Sequence, residues 1–228
     1  MKTILLIGGT QGIGANIVNQ LKESHKLIIA SRSEFPESHE NINHIKFDAM
    51  EDSLNTDELS ELDGFVYCPG SINLKPFKMM SLDTFEKDME INFFGLIKVV
   101  KDIMPKMKEA SSLVFFSTVA VSNGMPFHTS VAAAKGAIEG FAKSLAAEYA
   151  PKLRVNVVAP SLIDTPLASR LLNNDKKRES MGERHPLKRV GKPEDIGNIV
   201  SFLLGEQSSW MTGQVIGVDG GISTLNLS

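Results

Sequence analysis

The sequence predicts a doubly wound α/β fold, with a seven-stranded parallel sheet in the order 3-2-1-4-5-6-7 and helices on both faces. Three observations carry this. Short, unbroken apolar runs such as Thr3-Ile4-Leu5-Leu6-Ile7 have the character of strands buried on both faces. These runs alternate with stretches of helical spacing, which implies parallel strands joined by right-handed crossovers. The 228 residues, 42% hydrophobic and 22% charged, suit one domain over residues 1–228 with a full core. No internal repeat, linker or composition shift divides the chain.

The first unit runs from Lys2 to Leu21. Its strand passes through Gly8-Gly9-Thr10-Gln11-Gly12-Ile13-Gly14 into a helix with Ile17, Val18 and Leu21 at helical spacing. Such a turn makes a phosphate cradle. Small residues admit a pyrophosphate to the backbone, and the unpaired N–H groups and positive dipole at the helix start receive its charge. The spacing Gly8-x-x-x-Gly12-x-Gly14 is not the G-x-G-x-x-G fingerprint, and a purely structural turn stays open at this point. Further strands are expected at Leu27–Ala30, His44–Phe47, Gly64–Tyr67, Leu113–Phe116, Arg154–Val158 and Val215–Val218. Helices are expected at Ser81–Lys108, Val131–Tyr149 and Pro193–Leu204, the last with Pro193 at its first position and Gly205 just past its end. Ser33–Asn43 and Thr165–Arg184 lack periodicity and read as long loops of the kind that often carry function.

A net charge of −3 without a basic block argues against nucleic acid as a partner. Cys68 is the only cysteine, so no intrachain disulfide forms, and His25, His39, His44 and His185 show no metal-ligand spacing; no metal site is expected. The ten methionines read as gap-filling core. No apolar run reaches membrane-spanning length, and the N-terminus enters a strand with no room for a signal peptide. A cytoplasmic protein with no membrane partner is the expectation.

The second strand ends in Ala30-Ser31-Arg32-Ser33. In dinucleotide folds an acid near this point binds ribose hydroxyls, whereas an arginine accommodates a 2′-phosphate. No acid is present, and Arg32 with Ser31 can form a charge-assisted phosphate clamp, so the cofactor inferred is NADP(H). The alternative is that Arg32 is a plain surface charge. Asp48, followed by Ala49, either accepts from an adenine amino group or caps a turn.

Further motifs follow in order: Tyr67-Cys68-Pro69-Gly70, Glu90-Ile91-Asn92, Ala159-Pro160-Ser161-Leu162-Ile163-Asp164-Thr165, Arg189 to Ile196, and Thr212 to Gly221. With the glycine turn, they resemble the short-chain dehydrogenase/reductase family nearly end to end, close to its 3-oxoacyl-[acyl carrier protein] reductase branch. The resemblance implies a Rossmann-type NADP(H)-binding domain and an enzyme acting on a small-molecule substrate, acyl thioesters included. Mapped onto this chain, the cofactor residues are Gly8, Thr10, Gln11, Gly12, Ile13, Gly14, Ser31, Arg32, Asp48, Ala49, Cys68, Gly70, Asn92, Lys135, Pro160, Ile163 and Thr165. Leu162 to Leu172 corresponds to the segment that folds over substrate in relatives. A homodimer or homotetramer is also implied, and the surplus of apolar residues in Ser81–Lys108 (Phe93, Phe94, Leu96, Ile97, Val99, Val100, Ile103, Met104) agrees with it.

The family's chemistry rests on Ser-x12-Tyr-x3-Lys supported by a helix Asn. In this chain Asn92 and Lys135 match, Thr118 keeps the hydroxyl of the Ser position with Ser117 just before it, and Val131 stands at the Tyr position. Valine has no proton to give. His128 lies seven residues before Lys135, about 10 Å along a helix and on nearly the same face. That spacing resembles the enoyl-thioester reductase branch, whose Tyr stands seven residues before its Lys. The catalytic candidates are Asn92, Thr118, His128 and Lys135. Three readings stay open. One is an NADPH-dependent reductase of a carbonyl or enoyl thioester-like substrate, with His128, Thr118 or a water as donor. The others are a weak carbonyl or 3-oxoacyl reductase, and a catalytically silent NADP(H)-binding subunit or sensor.

Overall fold

The apolar runs become β1 (Lys2–Ile7), β2 (His25–Ser31), β3 (Ile42–Lys46), β4 (Leu62–Tyr67), β5 (Met107–Phe116), β6 (Leu153–Pro160) and β7 (Val215–Val218). They form one parallel sheet in the expected order β3-β2-β1-β4-β5-β6-β7. The structure, a computed structural model, describes residues 1–36 and 38–226. Glu37, within the expected Ser33–Asn43 loop, lies outside the described residues, and that loop forms no helix among them.

Alternation along each strand splits the core into two layers. Leu5, Ile7, Phe65 and Phe115 face α3 (Gly95–Ile103) and α4 (Thr129–Tyr149). Ile4, Leu6, Val66 and Val114 face α1 (Gly12–Leu21) and α6 (Pro193–Leu204). The last two helices touch closely at Gly197, where a Cβ would stand 2.1 Å from Asn16 Oδ1. Around that point Asn16 Nδ2 donates to Glu194 (3.1 Å), Gln20 Nε2 to Asn198 (3.0 Å), and Ser201 to Gln20 (2.8 Å).

Two expectations are corrected. Ser81–Lys108 is not one helix: α2 (Leu82–Met89) runs into a π-helical turn, Glu90–Phe94, before α3, and a 3₁₀ turn at Met104–Lys106 follows. Pro105 cannot continue an α-helix, so the chain turns there and Met107 and Lys108 open β5. Thr165–Arg184 is not wholly irregular: Pro166–Ala168 is a 3₁₀ turn and α5 spans Asp175–Glu183. α5 buries only Gly182, so it has no apolar stripe to betray it. Its start is capped by Asn174, which accepts from Lys177 N (2.9 Å), and Arg178 pairs with Asp164.

Candidate active site

The loops at the carboxyl ends of the strands meet at one cavity of about 250 Å³. At one edge, bordering it through Ile13, is the glycine turn after β1. Gly8 (φ 84°) and Gly12 (φ 54°) hold conformations that side-chain-bearing residues avoid, and a Cβ at Gly14 would stand 2.1 Å from Gly8 O. Gln11 enters α1 in extended form without a side-chain cap, and no acid lies in the first turn, so the helix's N–H groups and positive dipole are left for a ligand. Gly12 faces Thr165, and Gly8 faces Cys68. Of the cofactor candidates, Ile13, Cys68, Gly70, Pro160, Ile163 and Thr165 line the cavity.

The candidates Ser31, Arg32, Asp48 and Ala49 do not line this cavity. Arg32 is exposed just past β2 and has no acidic partner among the described residues. Ser31 is buried, and its hydroxyl is already engaged, donating to Ser33 O (2.8 Å) and contacting His44 Nε2 (2.9 Å). Asp48 caps a turn through Oδ1, which accepts from Met50 N (3.0 Å), beside the buried Ala49.

One wall comes from the loop after β4 and from α4, with α2 and the π turn packed behind them. The π turn carries Asn92 into the interior, where it is 0% exposed. A π turn disturbs the helical hydrogen-bond ladder. Here Tyr67 Oη donates to Ile91 O (2.9 Å), and Gly95 leaves room for it, since a Cβ there would stand 2.6 Å from Oη. Asn92 Nδ2 donates to Ser71 Oγ (2.9 Å) and to Asp88 O (2.8 Å), while its buried Oδ1 has no partner among the described residues. Lys135 of α4 is 8% exposed. Its Nζ and Asn92 Oδ1 flank Gly70, 3.4 and 3.1 Å from where a Cβ would sit. Burial draws the Lys135 ammonium down to about 8, against the pull of Cys68 and Asp88. Burial also pushes the Cys68 thiol up to about 12, opposed by Lys135.

Thr118, His128 and Val131 complete the cavity with Lys135. Thr118 Oγ1 accepts from Ala120 N (3.3 Å). Ser117 also borders the cavity, with its hydroxyl donated to Glu139 (2.5 Å). His128 stands at the N-cap of α4 after Phe127, which holds a left-handed φ of 70°. Its Nδ1 faces Pro126 O at 2.7 Å, so Nδ1 carries a proton and Nε2 is left free of described partners. Val131 is 6% exposed. Ile72, Leu74, Met125, Leu162, Leu167 and Leu171 make the rest of the wall apolar.

Several residues escape the sequence reading. Asp88 is wholly buried and accepts from Ser71, from Asn73 (2.7 Å) and from Ser130 (2.6 Å). Its one signal was its place four residues before Asn92, on the same helical face. His185 closes the opposite wall, tied to Met181 O (2.9 Å) and Ser161 Oγ (2.9 Å). Arg184 and Met181 of the α5 region join it there.

Comparison with known proteins agrees with this geometry. Residues 8–223 match the family model described as Enoyl-(Acyl carrier protein) reductase. The chain is similar to 3-oxoacyl-[acyl-carrier-protein] reductase FabG of Thermotoga maritima, 38% identical over 146 residues, which are 63% of this chain and 58% of that protein. It thus aligns with less than two thirds of that relative. Similarity to the tropinone reductase homolog At5g06060 of Arabidopsis thaliana is 32% over 249 residues, covering 100% of this chain and 94% of that one. The solved short-chain dehydrogenase/reductase (glucose/ribitol dehydrogenase) of Brucella melitensis superposes with a TM-score of 0.90 at 32% identity, over 98% of this chain and 97% of that one. The chain belongs to the short-chain dehydrogenase/reductase family, oxidoreductases that bind NAD(P)(H).

Proposed function

We propose that this protein is an NADPH-dependent reductase of α,β-unsaturated acyl thioesters or enones, with His128 as proton donor. The observation that carries the reading is one apolar-walled cavity lined together by Lys135, Thr118, His128 and Val131. The resemblance puts the family's Tyr at Val131, which has no polar atom to offer. The cofactor fits the residues present: the Gly8–Gly14 turn suits a pyrophosphate, and the partnerless Asn92 Oδ1 and Lys135 Nζ suit polar groups brought by a ligand. Arg32, an exposed cation at a strand end without an acid, favours the 2′-phosphate form. When bound, NADPH supplies a hydride.

The chain supplies the rest. Lys135 offers a positive charge at the cavity wall, and Thr118 a hydroxyl for a substrate oxygen. With His128 Nδ1–H held by Pro126 O, the proton it exchanges is the one at Nε2. Ketone reduction develops an oxyanion where the family's Tyr would stand. Reduction of an enoyl thioester moves the developing charge to the thioester oxygen, farther along the helix, which suits a donor set back at His128. The single domain over residues 1–228 and a cytoplasmic setting belong to this same reading.

Steady-state kinetics with paired keto and enoyl thioesters test it. Enoyl turnover should exceed keto turnover, and His128→Ala should lower kcat by about 10²–10⁴-fold with little change in NADPH affinity. Arg32→Ala should erode the preference for NADPH over NADH. A loss of only about two- or three-fold on His128→Ala would leave His128 a surface residue. Tight NADPH binding without turnover of either substrate would identify a silent subunit instead.

A further inference from the structure

Asp88 is a buried charge with no task in the proposed reaction. Asp88 on α2 is 0% exposed and has no Lys, Arg or His within ion-pair distance among the described residues. A carboxylate out of water is costly unless hydrogen-bonded. Here Oδ1 accepts from Ser71 Oγ and from Asn73 Nδ2 (2.7 Å), and Oδ2 accepts from Ser130 Oγ (2.6 Å). The donors come from two other elements, the loop after β4 and the first turn of α4. Asn92 extends the chain of contacts, giving Nδ2 to Ser71 Oγ (2.9 Å) and setting its bare Oδ1 beside Gly70, opposite Lys135 Nζ. Lys135 donates no hydrogen bond to any described residue. A buried anion and a buried cation thus stand at the two ends of one polar bridge, and neither has an ion-pair partner.

We propose that Asp88 is a positioning residue that serves as counter-charge to Lys135 across the Ser71–Asn92 bridge and keeps its ammonium charged at working pH. The inference rests on Lys135 belonging to the site, not on which reaction the site performs. The ionisable groups around Lys135 narrow the choice of counter-charge. From the end of β4 comes Cys68, but its thiol is held at about 12 and carries no charge near neutrality. Glu139, one turn along α4 and held by Ser117 (2.5 Å), exerts no charge effect on Lys135, and His128 is tied to Pro126 O. Across the cavity, His185 is engaged at both ring nitrogens and Arg184 bears the wrong sign. Asp88 is the anion that remains, and it opposes the desolvation that draws Lys135 down to about 8. An opposite charge favours the charged form of a buried group. Without it, burial would draw the Lys135 ammonium lower still and weaken the site's cation.

A mere latch between the loop and α4 would use the same hydrogen bonds without affecting Lys135. The ligand-free full-length protein separates the two. Carbon-13 NMR of ε-labelled lysine, with the Lys135 signal assigned by Lys135→Arg, follows the titration directly. Asp88→Asn should move the midpoint down by about one unit or more, whereas Ser130→Ala, which keeps the charge, should leave it near wild type. The pH at which NADPH affinity falls should move down with it. A folded Asp88→Asn with an unmoved midpoint would overturn the proposal. Should that variant not fold, the wild-type Asp88 carboxyl carbon still decides: it should report a step at the Lys135 midpoint, and its absence would overturn the proposal equally. Because no substrate is involved, failure of the enoyl reading in kinetics leaves this titration's outcome untouched.

Discussion

Lys135 carries its charge where the surroundings oppose it, and the cost has a definite pH window. Its folded value of about 8 lies below the unfolded 10.5, so below pH 8 both states are protonated and the folded state bears the full burden. Between about 8 and 10.5 the unfolded chain binds more protons, and stability rises with pH. The burden at pH 7 is about 3 kcal/mol at most. Lys135→Met should therefore stabilise the protein at pH 7 by up to that amount while abolishing tight NADPH binding, and the gain should shrink as pH rises past 8. Cys68, held at about 12, works in reverse above pH 9, where the unfolded thiol ionises first. Urea denaturation at pH 7, 8.5 and 10 checks this, and a destabilised Lys135→Met at pH 7 would contradict it. Residues of this kind were legible to different degrees. Gly8, Gly12, Gly14, Asn92 and Lys135 stood out because backbone conformation or a fixed motif demands them. Asp88 did not, since Phe85-Glu86-Lys87-Asp88-Met89 reads as a solvated face until α4 is packed over it. Ser31 read as a phosphate ligand, and only the fold shows its hydroxyl occupied by Ser33 and His44.

The π turn between α2 and α3 shows how an element can be right in kind and wrong in detail. The apolar spacing of residues 81–108 announces a helix but cannot register one extra residue in a turn, because the buried stripe resumes at Leu96 and Val99 regardless. What marks the turn is a partner from β4: Tyr67, whose hydroxyl is kept protonated by burial, donates to the Ile91 carbonyl. Tyr67→Phe should cost about 1–3 kcal/mol, more than an exposed hydrogen bond would, because a buried acceptor is left unsatisfied. Chemical denaturation measures the loss, and a neutral substitution would mean that water satisfies the carbonyl. The same logic explains α5. Its Asp-Lys-Lys-Arg-Glu-Ser start has no stripe, and a cap at Asn174 with an ion pair to Asp164 gives no periodic trace in sequence.

At the level of the whole molecule the parallel sheet followed from alternation, and right-handed crossovers narrowed its strand order to the one observed. We propose assembly as a homodimer or homotetramer from what the covering helices leave bare. Phe94 is 51% exposed beside Phe93, which meets Phe141 of α4 edge-on with ring centroids 6.2 Å apart. This aromatic surface joins the π turn to α4. Sedimentation should show a homodimer or homotetramer at micromolar concentration, and Phe94→Arg should shift it to smaller species; a wild-type monomer would refute the assignment. The contact of α1 with α6 has a consequence for synthesis. Asn16 waits for Glu194, 178 residues later, and until then Ile17, Val18 and Leu21 have no covering helix on that side. At about 5–20 residues per second, the nascent chain spends roughly ten to forty seconds on the ribosome with its phosphate turn made but unbuttressed. Through that interval α1 is an amphipathic helix with its packing against α6 still to be made.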